Sequence, residues 1–121
     1  MLAAAFILLS IAVLIGCVLA VLDMRTGAAT PMWQLAALHA LIALSGFGCL
    51  LLALRGPVRG ASQGTGSFGV ISAWLLGAAA LLAVSLLVAR LRGRNLPGFL
   101  IGMHATFAVT GFVVLLAYFL A

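Results

Sequence analysis

Four long apolar segments alternate with three short polar segments along the chain. About 20 apolar residues in a helix cross the hydrocarbon core of a bilayer, and in lipid a helix satisfies its own backbone groups. Because the connections are short, sequential helices should run antiparallel. The pattern predicts an all-α, integral membrane four-helix up-down bundle, with spans at about residues 2–22, 32–54, 68–89 and 97–120.

Small and polar residues refine this prediction at the helix ends. Thr30 and Pro31 predict the cap and first turn of the second helix. Gly98 and Gly102, four residues apart, predict a close helix contact at the start of the fourth span. The segment 55–67 is rich in glycine, serine and proline, which predicts a flexible connection.

Composition supports a membrane location. Hydrophobic residues make up 67% of the 121 residues and charged residues 6%, and mean hydropathy is +1.42. A soluble domain would have about a quarter charged residues. We therefore expect one transmembrane domain over residues 1–121. The composition, rich in alanine, leucine and arginine and free of lysine, suggests the inner membrane of a bacterium with a GC-rich genome.

The net charge of +5 comes from arginines in the connections between spans. Loop arginines usually set membrane orientation, because cytoplasmic loops are enriched in basic residues. A nucleic-acid partner is not expected, since there is no soluble basic domain to bind one. The connections after the first and third spans contain four arginines, Arg25, Arg90, Arg92 and Arg94. The connection after the second span contains two, Arg55 and Arg59. This difference predicts that the two short connections, after the first and third spans, are cytoplasmic.

The second and fourth spans repeat one another. When residues 36–54 are placed on 101–119, a shift of 65, seven of the nineteen positions are identical. The repeat superposes the chain's two histidines, His39 and His104. It predicts two parallel-repeat helical hairpins related by a pseudo-two-fold axis along the membrane normal. At the same shift the first and third spans barely match, although Arg25 falls on Arg90.

Both histidines should lie roughly 10 Å below the same membrane surface, since each is about seven residues into its span. An ionisable side chain in a span avoids lipid, so we expect the two imidazoles to face each other. Small residues follow each histidine on the same helix face and predict a gap: Ala43 and Gly46 in helix 2, Ala108 and Gly111 in helix 4.

A gap with one imidazole on each wall is typical of a six-coordinate haem b, in which each histidine supplies one axial nitrogen. The sequence therefore suggests His39 and His104 as ligands of a haem iron, with Ala43, Gly46, Ala108 and Gly111 lining the macrocycle. Arginines at the near surface would meet the propionates. The arrangement resembles the four-helix cytochrome b membrane subunits of respiratory enzymes, including succinate dehydrogenase anchors. That resemblance covers the architecture and one histidine per ligating helix. It implies electron transfer as a subunit or anchor of a larger complex.

Other roles for the histidines stay open. Each imidazole could form an interhelical hydrogen bond, for example with Ser45, Thr106 or Thr110, in a non-catalytic accessory subunit of a larger membrane complex. A copper, quinone or proton-relay role is a further alternative, although two ligands are few for copper or zinc. The partners we expect are the lipid bilayer and other membrane or redox subunits, with a quinone and a homo-oligomer as open alternatives.

The residues of the spans argue against several functions and leave a small-molecule or ion transporter only as a less favoured alternative. They contain no Asp, Glu, Lys or Arg, whereas a proton-coupled exporter needs a carboxylate in the membrane and a channel usually has polar lining residues. No nucleophile–base–acid set is present, so the chain is at most an electron-transfer subunit of a membrane oxidoreductase. Cys17 and Cys49 should not form a disulfide, because they fall toward opposite membrane faces. We expect both to be small buried apolar residues.

Overall fold

A computed structural model describes residues 1–26, 33–94 and 98–121 of the chain. In these ranges the regular structure is helical, and no strand occurs. The cap predicted at Thr30 and Pro31 lies outside the described residues. The elements are α1 (Leu2–Thr26), α2 (Trp33–Ala53), a 3₁₀ turn (Ala61–Gln63), α3 (Phe68–Leu91) and α4 (Gly98–Leu120).

All four helices are long and apolar enough to cross a membrane. Their outward faces expose large apolar side chains, among them Leu14, Trp74 and Phe99. In water such faces would be costly, whereas lipid solvates them. The chain is therefore an integral membrane protein. α1 extends to Thr26, four residues beyond the predicted end at Leu22. Its last turn therefore includes Asp23 and Arg25.

The helices form a bundle of two hairpins. α1 packs closely on α2, and α3 packs closely on α4. The hairpins meet less extensively, through α1 against α4 and α2 against α3. No comparable contact joins α1 to α3 or α2 to α4 in the described part of the chain, so these pairs are diagonal. The predicted four-helix bundle of parallel hairpins is confirmed.

The core of the bundle lies in one half, next to the connection between α2 and α3. Leu50 and Leu115, equivalent in the repeat, are fully buried there, and Leu9 and Leu76 pack against the same cluster. Aromatic stacking joins the hairpins at this end: the Phe6 ring lies 5.6 Å from the Phe112 ring and 4.5 Å from the Phe119 ring, centroid to centroid. We call this end of the bundle the core half.

The repeat extends to α1 and α3, but with a different shift from the one predicted. Equivalent contacts pair Ala12 with His39 in one hairpin and Ala79 with His104 in the other. This relates α1 to α3 by 67 residues rather than 65. At that shift seven of the 24 positions from Leu2 to Arg25 are identical, and Arg25 falls on Arg92 rather than Arg90. The second hairpin is thus two residues shorter between its equivalent positions.

Three smaller expectations need correction. Gly98 and Gly102 are exposed, and a Cβ at either would meet nothing within 4 Å, so they make no close contact with another described helix. The segment 55–67 contains an ordered turn, in which the backbone N–H of Gln63 and that of Thr65 both donate to the carbonyl oxygen of Gly60.

The third correction concerns Cys17 and Cys49, which were both expected to be buried and unbonded. Both are free, as predicted, but only Cys49 is partly covered by neighbouring residues. Cys17 is exposed on the outer surface of α1. Its side chain is small and apolar enough to face lipid there.

Candidate functional site

The two histidines occupy equivalent places in the two hairpins. His39 is the seventh residue of α2 and His104 the seventh of α4. The Nδ1–H of His39 donates to the carbonyl oxygen of Ala12 in α1 at 2.9 Å. The Nδ1–H of His104 donates to the carbonyl oxygen of Ala79 in α3 at 2.8 Å. Each imidazole is therefore held by the other helix of its own hairpin.

These hydrogen bonds fix the tautomer of each ring. A carbonyl oxygen can only accept, so Nδ1 must be the protonated nitrogen in both histidines. In the neutral imidazole the lone pair is then on Nε2. No hydrogen-bond partner occupies either Nε2 in the described residues. Metal-binding histidines have this arrangement, with one nitrogen oriented by a backbone carbonyl and the other free to bind.

The two rings lie next to each other, as the repeat predicts. Their centroids are 6.3 Å apart and their planes are inclined by 78°. No hydrogen bond joins one imidazole to the other in the described structure. The hairpins thus bring two imidazoles to one level of the bundle, although α2 and α4 are diagonal, and no described residue pairs with either Nε2.

The hydroxyl partners suggested for the histidines are not used. Thr106 donates its hydroxyl to the carbonyl oxygen of Gly102 in its own helix at 2.9 Å. Ser45 and Thr110 are exposed. The interhelical hydrogen bonds considered as an alternative role therefore occur, but their acceptors are carbonyl oxygens of α1 and α3.

The glycines on the histidine faces contact neighbouring helices. A Cβ at Gly46 would lie 2.8 Å from Leu9 Cγ, and one at Gly111 would lie 3.0 Å from Leu76 Cγ. Both glycines are buried at these hairpin contacts. In the described structure they allow close helix packing and do not line an open gap. Ala43 and Ala108, which lie between each histidine and glycine, are half-buried.

Gly16 belongs to the site and was not predicted to do so. A Cβ there would lie 3.1 Å from His39 Cε1, 3.6 Å from Nδ1 and 3.9 Å from Nε2. Gly16 is one helical turn after Ala12, the residue that accepts the hydrogen bond from His39. Ala12, Gly16 and Ala20 form a stripe of small residues on α1, a signal that by itself predicts only a close helix contact.

Beyond the histidines the bundle has little interior packing. No described side chain is buried on the side of the α1–α2 and α3–α4 connections, that is, in residues 13–25, 33–45, 80–94 and 98–110. We call these residues the histidine half. Ala12 and Ala79, the hydrogen-bond acceptors, are its inner boundary and are each 3% exposed. The arginines at the end of α3 are all exposed: Arg90, Arg92 and Arg94.

The histidine half has few candidate metal ligands. In residues 1–26, 33–94 and 98–121, no group of three or more His, Cys, Asp or Glu side chains is placed to hold a metal ion. A zinc or copper site made by this part of the chain alone would therefore lack ligands.

Comparison of the chain with protein-family models, with curated proteins and with solved structures finds no match.

Proposed function

We propose that this membrane protein binds one haem b between His39 and His104 and transfers single electrons. The supporting observation is the pair of imidazoles whose Nε2 atoms have no hydrogen-bond partner among the described residues and whose centroids are 6.3 Å apart. Imidazole nitrogens bind metals at about 2 Å, so an iron held between two such rings would separate their centroids by roughly 6 Å. The separation fits a metal bound by both histidines.

The number of ligands also favours haem over a bare metal ion. A porphyrin supplies four nitrogens of its own, and a six-coordinate haem takes two more from the protein. Two histidines are therefore sufficient for haem, whereas structural zinc needs four protein ligands. When bound, the haem supplies a one-electron couple between ferric and ferrous iron.

The lower burial of the histidine half favours it as the place for the macrocycle. Its described side chains are not buried, whereas the core half is tightly packed around Leu50 and Leu115. We therefore place the haem at the level of the two histidines, with its propionates toward the connections and away from the close contacts at Gly46 and Gly111. The exposed guanidinium groups of Arg90, Arg92 and Arg94 would then pair with the propionates at the membrane surface.

The chain's own residues have distinct tasks in this proposal. His39 and His104 bind the iron through Nε2. The carbonyl groups of Ala12 and Ala79 hold the imidazoles in the binding tautomer and strengthen them as ligands. The packed core half anchors both hairpins, so that the ligands stay at one level. Apolar residues of the histidine half exclude water from the cofactor.

We further propose that the protein works as a subunit or anchor of a respiratory-type complex in a bacterial inner membrane. We expect the electron donor and acceptor to be other subunits or a quinone, because the described residues lie mainly in helices long and apolar enough to span the membrane. We place the α1–α2 and α3–α4 connections in the cytoplasm, because four of the six arginines lie on that side.

An absorbance spectrum of the purified protein tests the proposal. With adequate haem supply we expect a Soret band and sharp α and β bands on reduction. Both His39→Ala and His104→Ala should abolish the reduced low-spin spectrum. Thr106→Ala is the matched control, because it removes a polar group two residues from His104 whose bond stays within α4. A colourless wild-type protein would refute haem binding.

A purely structural role is the second candidate, and the hydrogen bonds to Ala12 and Ala79 favour it directly. Interhelical hydrogen bonds in membranes stabilise by about 0.6–1.7 kcal/mol. As an accessory subunit, the protein would be colourless and would lose this amount of stability in either histidine variant. It would also be recovered from membranes together with larger subunits.

A further inference from the structure

The surroundings of the two histidines differ at one position. In the first hairpin, Gly16 lies against His39, and the three atoms nearest to a Cβ placed there all belong to the imidazole. In the second hairpin the corresponding position is Ala83, because α1 and α3 are related by a shift of 67 residues. The ring of His39 thus lies against bare backbone, and the sequence does not repeat that feature beside His104.

A methyl group at position 16 would change the orientation of His39. Its Cβ would lie 3.1 Å from Cε1, which is closer than ordinary van der Waals contact. The ring can relieve this contact by turning about its side-chain torsions, within the limits set by the hydrogen bond from Nδ1 to the carbonyl oxygen of Ala12. Rotation of one ring changes the angle between the two imidazole planes, which is 78° in the native protein.

We propose that Gly16 is a positioning residue that sets the orientation of the His39 imidazole and, with it, the angle between the two ring planes. The proposal rests on haem binding only for its consequence at the iron. In ferric low-spin haem, nearly perpendicular axial imidazoles give one dominant large-g feature in the electron paramagnetic resonance spectrum, whereas nearly parallel ones give a rhombic spectrum. If the 78° angle between the ring planes is kept when haem binds, Gly16 would favour the first type.

The test compares Gly16→Ala with Gly48→Ala, a matched control at which a Cβ meets nothing within 4 Å. In the haem-loaded protein, Gly16→Ala should shift the large-g feature by more than its linewidth, with haem content unchanged. Gly48→Ala should leave it in place. An unchanged spectrum in Gly16→Ala would overturn the proposal. That is the result expected if Gly16 only allows helix packing and does not orient His39.

A second measurement does not depend on haem. In the haem-free protein labelled with ¹⁵N-histidine, Gly16→Ala should shift the ring nitrogens of His39 more than those of His104. Equal or absent shifts would contradict the proposal. A colourless protein that shows the His39 shift would refute haem binding and support the positioning role, so the two failures are distinguishable.

If Gly16→Ala does not fold, the double variant Gly16→Ala/His39→Ala shows whether contact with His39 is the cause. Removal of the imidazole also removes the group that the new methyl contacts. The double variant should then fold as well as His39→Ala alone. Failure of the double variant as well would show that Gly16 is needed for something other than His39.

Discussion

Replacing Gly46 with alanine should force α1 and α2 apart, whereas the same change at Gly48 should not. The new Cβ at Gly46 would lie 2.8 Å from Leu9 Cγ and 3.1 Å from the Leu9 backbone nitrogen. The leucine side chain can turn away, but the backbone of α1 can only move as a helix. At Gly48 a Cβ meets nothing within 4 Å.

The expected magnitude follows from comparing the two variants. Overpacking a close contact costs about 1–3 kcal/mol. Both variants gain helix propensity, by up to about 1 kcal/mol in water, and this gain cancels in the comparison. Gly46→Ala should therefore be about 1–3 kcal/mol less stable than Gly48→Ala. Gly111→Ala should fall between them, because its three nearest contacts are all side-chain atoms of Leu75 and Leu76.

Reversible unfolding in mixed micelles of mild detergent and dodecyl sulfate measures these differences in free energy. The same assay separates two roles for Gly46. If the glycine only left space for a cofactor, a methyl group in the haem-free protein would enter that space without cost. A difference of less than about 0.5 kcal/mol between Gly46→Ala and Gly48→Ala, the range of ordinary surface substitutions, would refute the packing role.

Two further changes test the second hairpin and the membrane orientation. Ser72→Ala should cost about 0.5–1.5 kcal/mol in the unfolding assay, because it removes a buried hydrogen bond to the carbonyl oxygen of Gly111 at 2.8 Å. The exposed control Ser85→Ala should cost little, and equal costs would contradict the role of Ser72. In a protein without its native cysteines, a membrane-impermeant thiol reagent should label Arg94→Cys from the cytoplasmic side and Ser62→Cys from outside. The reverse pattern would contradict the proposed orientation.

The main architecture could be predicted because its signals are long or exact. Four apolar segments specify four membrane helices without any knowledge of their contacts. The repeated His39 and His104, each followed by glycine seven residues later, specify the parallel hairpins and the meeting of the two imidazoles. Histidine is rare in membrane spans, so its recurrence is a sharper signal than any leucine or alanine.

The contacts of α1 and α3 could not be predicted in the same way. Lipid accepts most apolar residues equally, so leucine and alanine in these helices identify the register only weakly. The 67-residue shift became clear from the hydrogen bonds of Ala12 and Ala79. Gly46 illustrates a second limit. Helical periodicity places it on the same face as His39, but cannot show that Leu9 of α1 covers that part of the face.

Haem content per chain tests the central claim most directly. A pyridine haemochrome assay on purified protein of known concentration counts the haems, and the same assay is applied to His39→Ala and His104→Ala. We predict one haem b per wild-type chain and none retained in low-spin form by either variant, since both ligands come from the same chain. Wild-type protein without haem, or full low-spin haem in either single variant, would contradict the account.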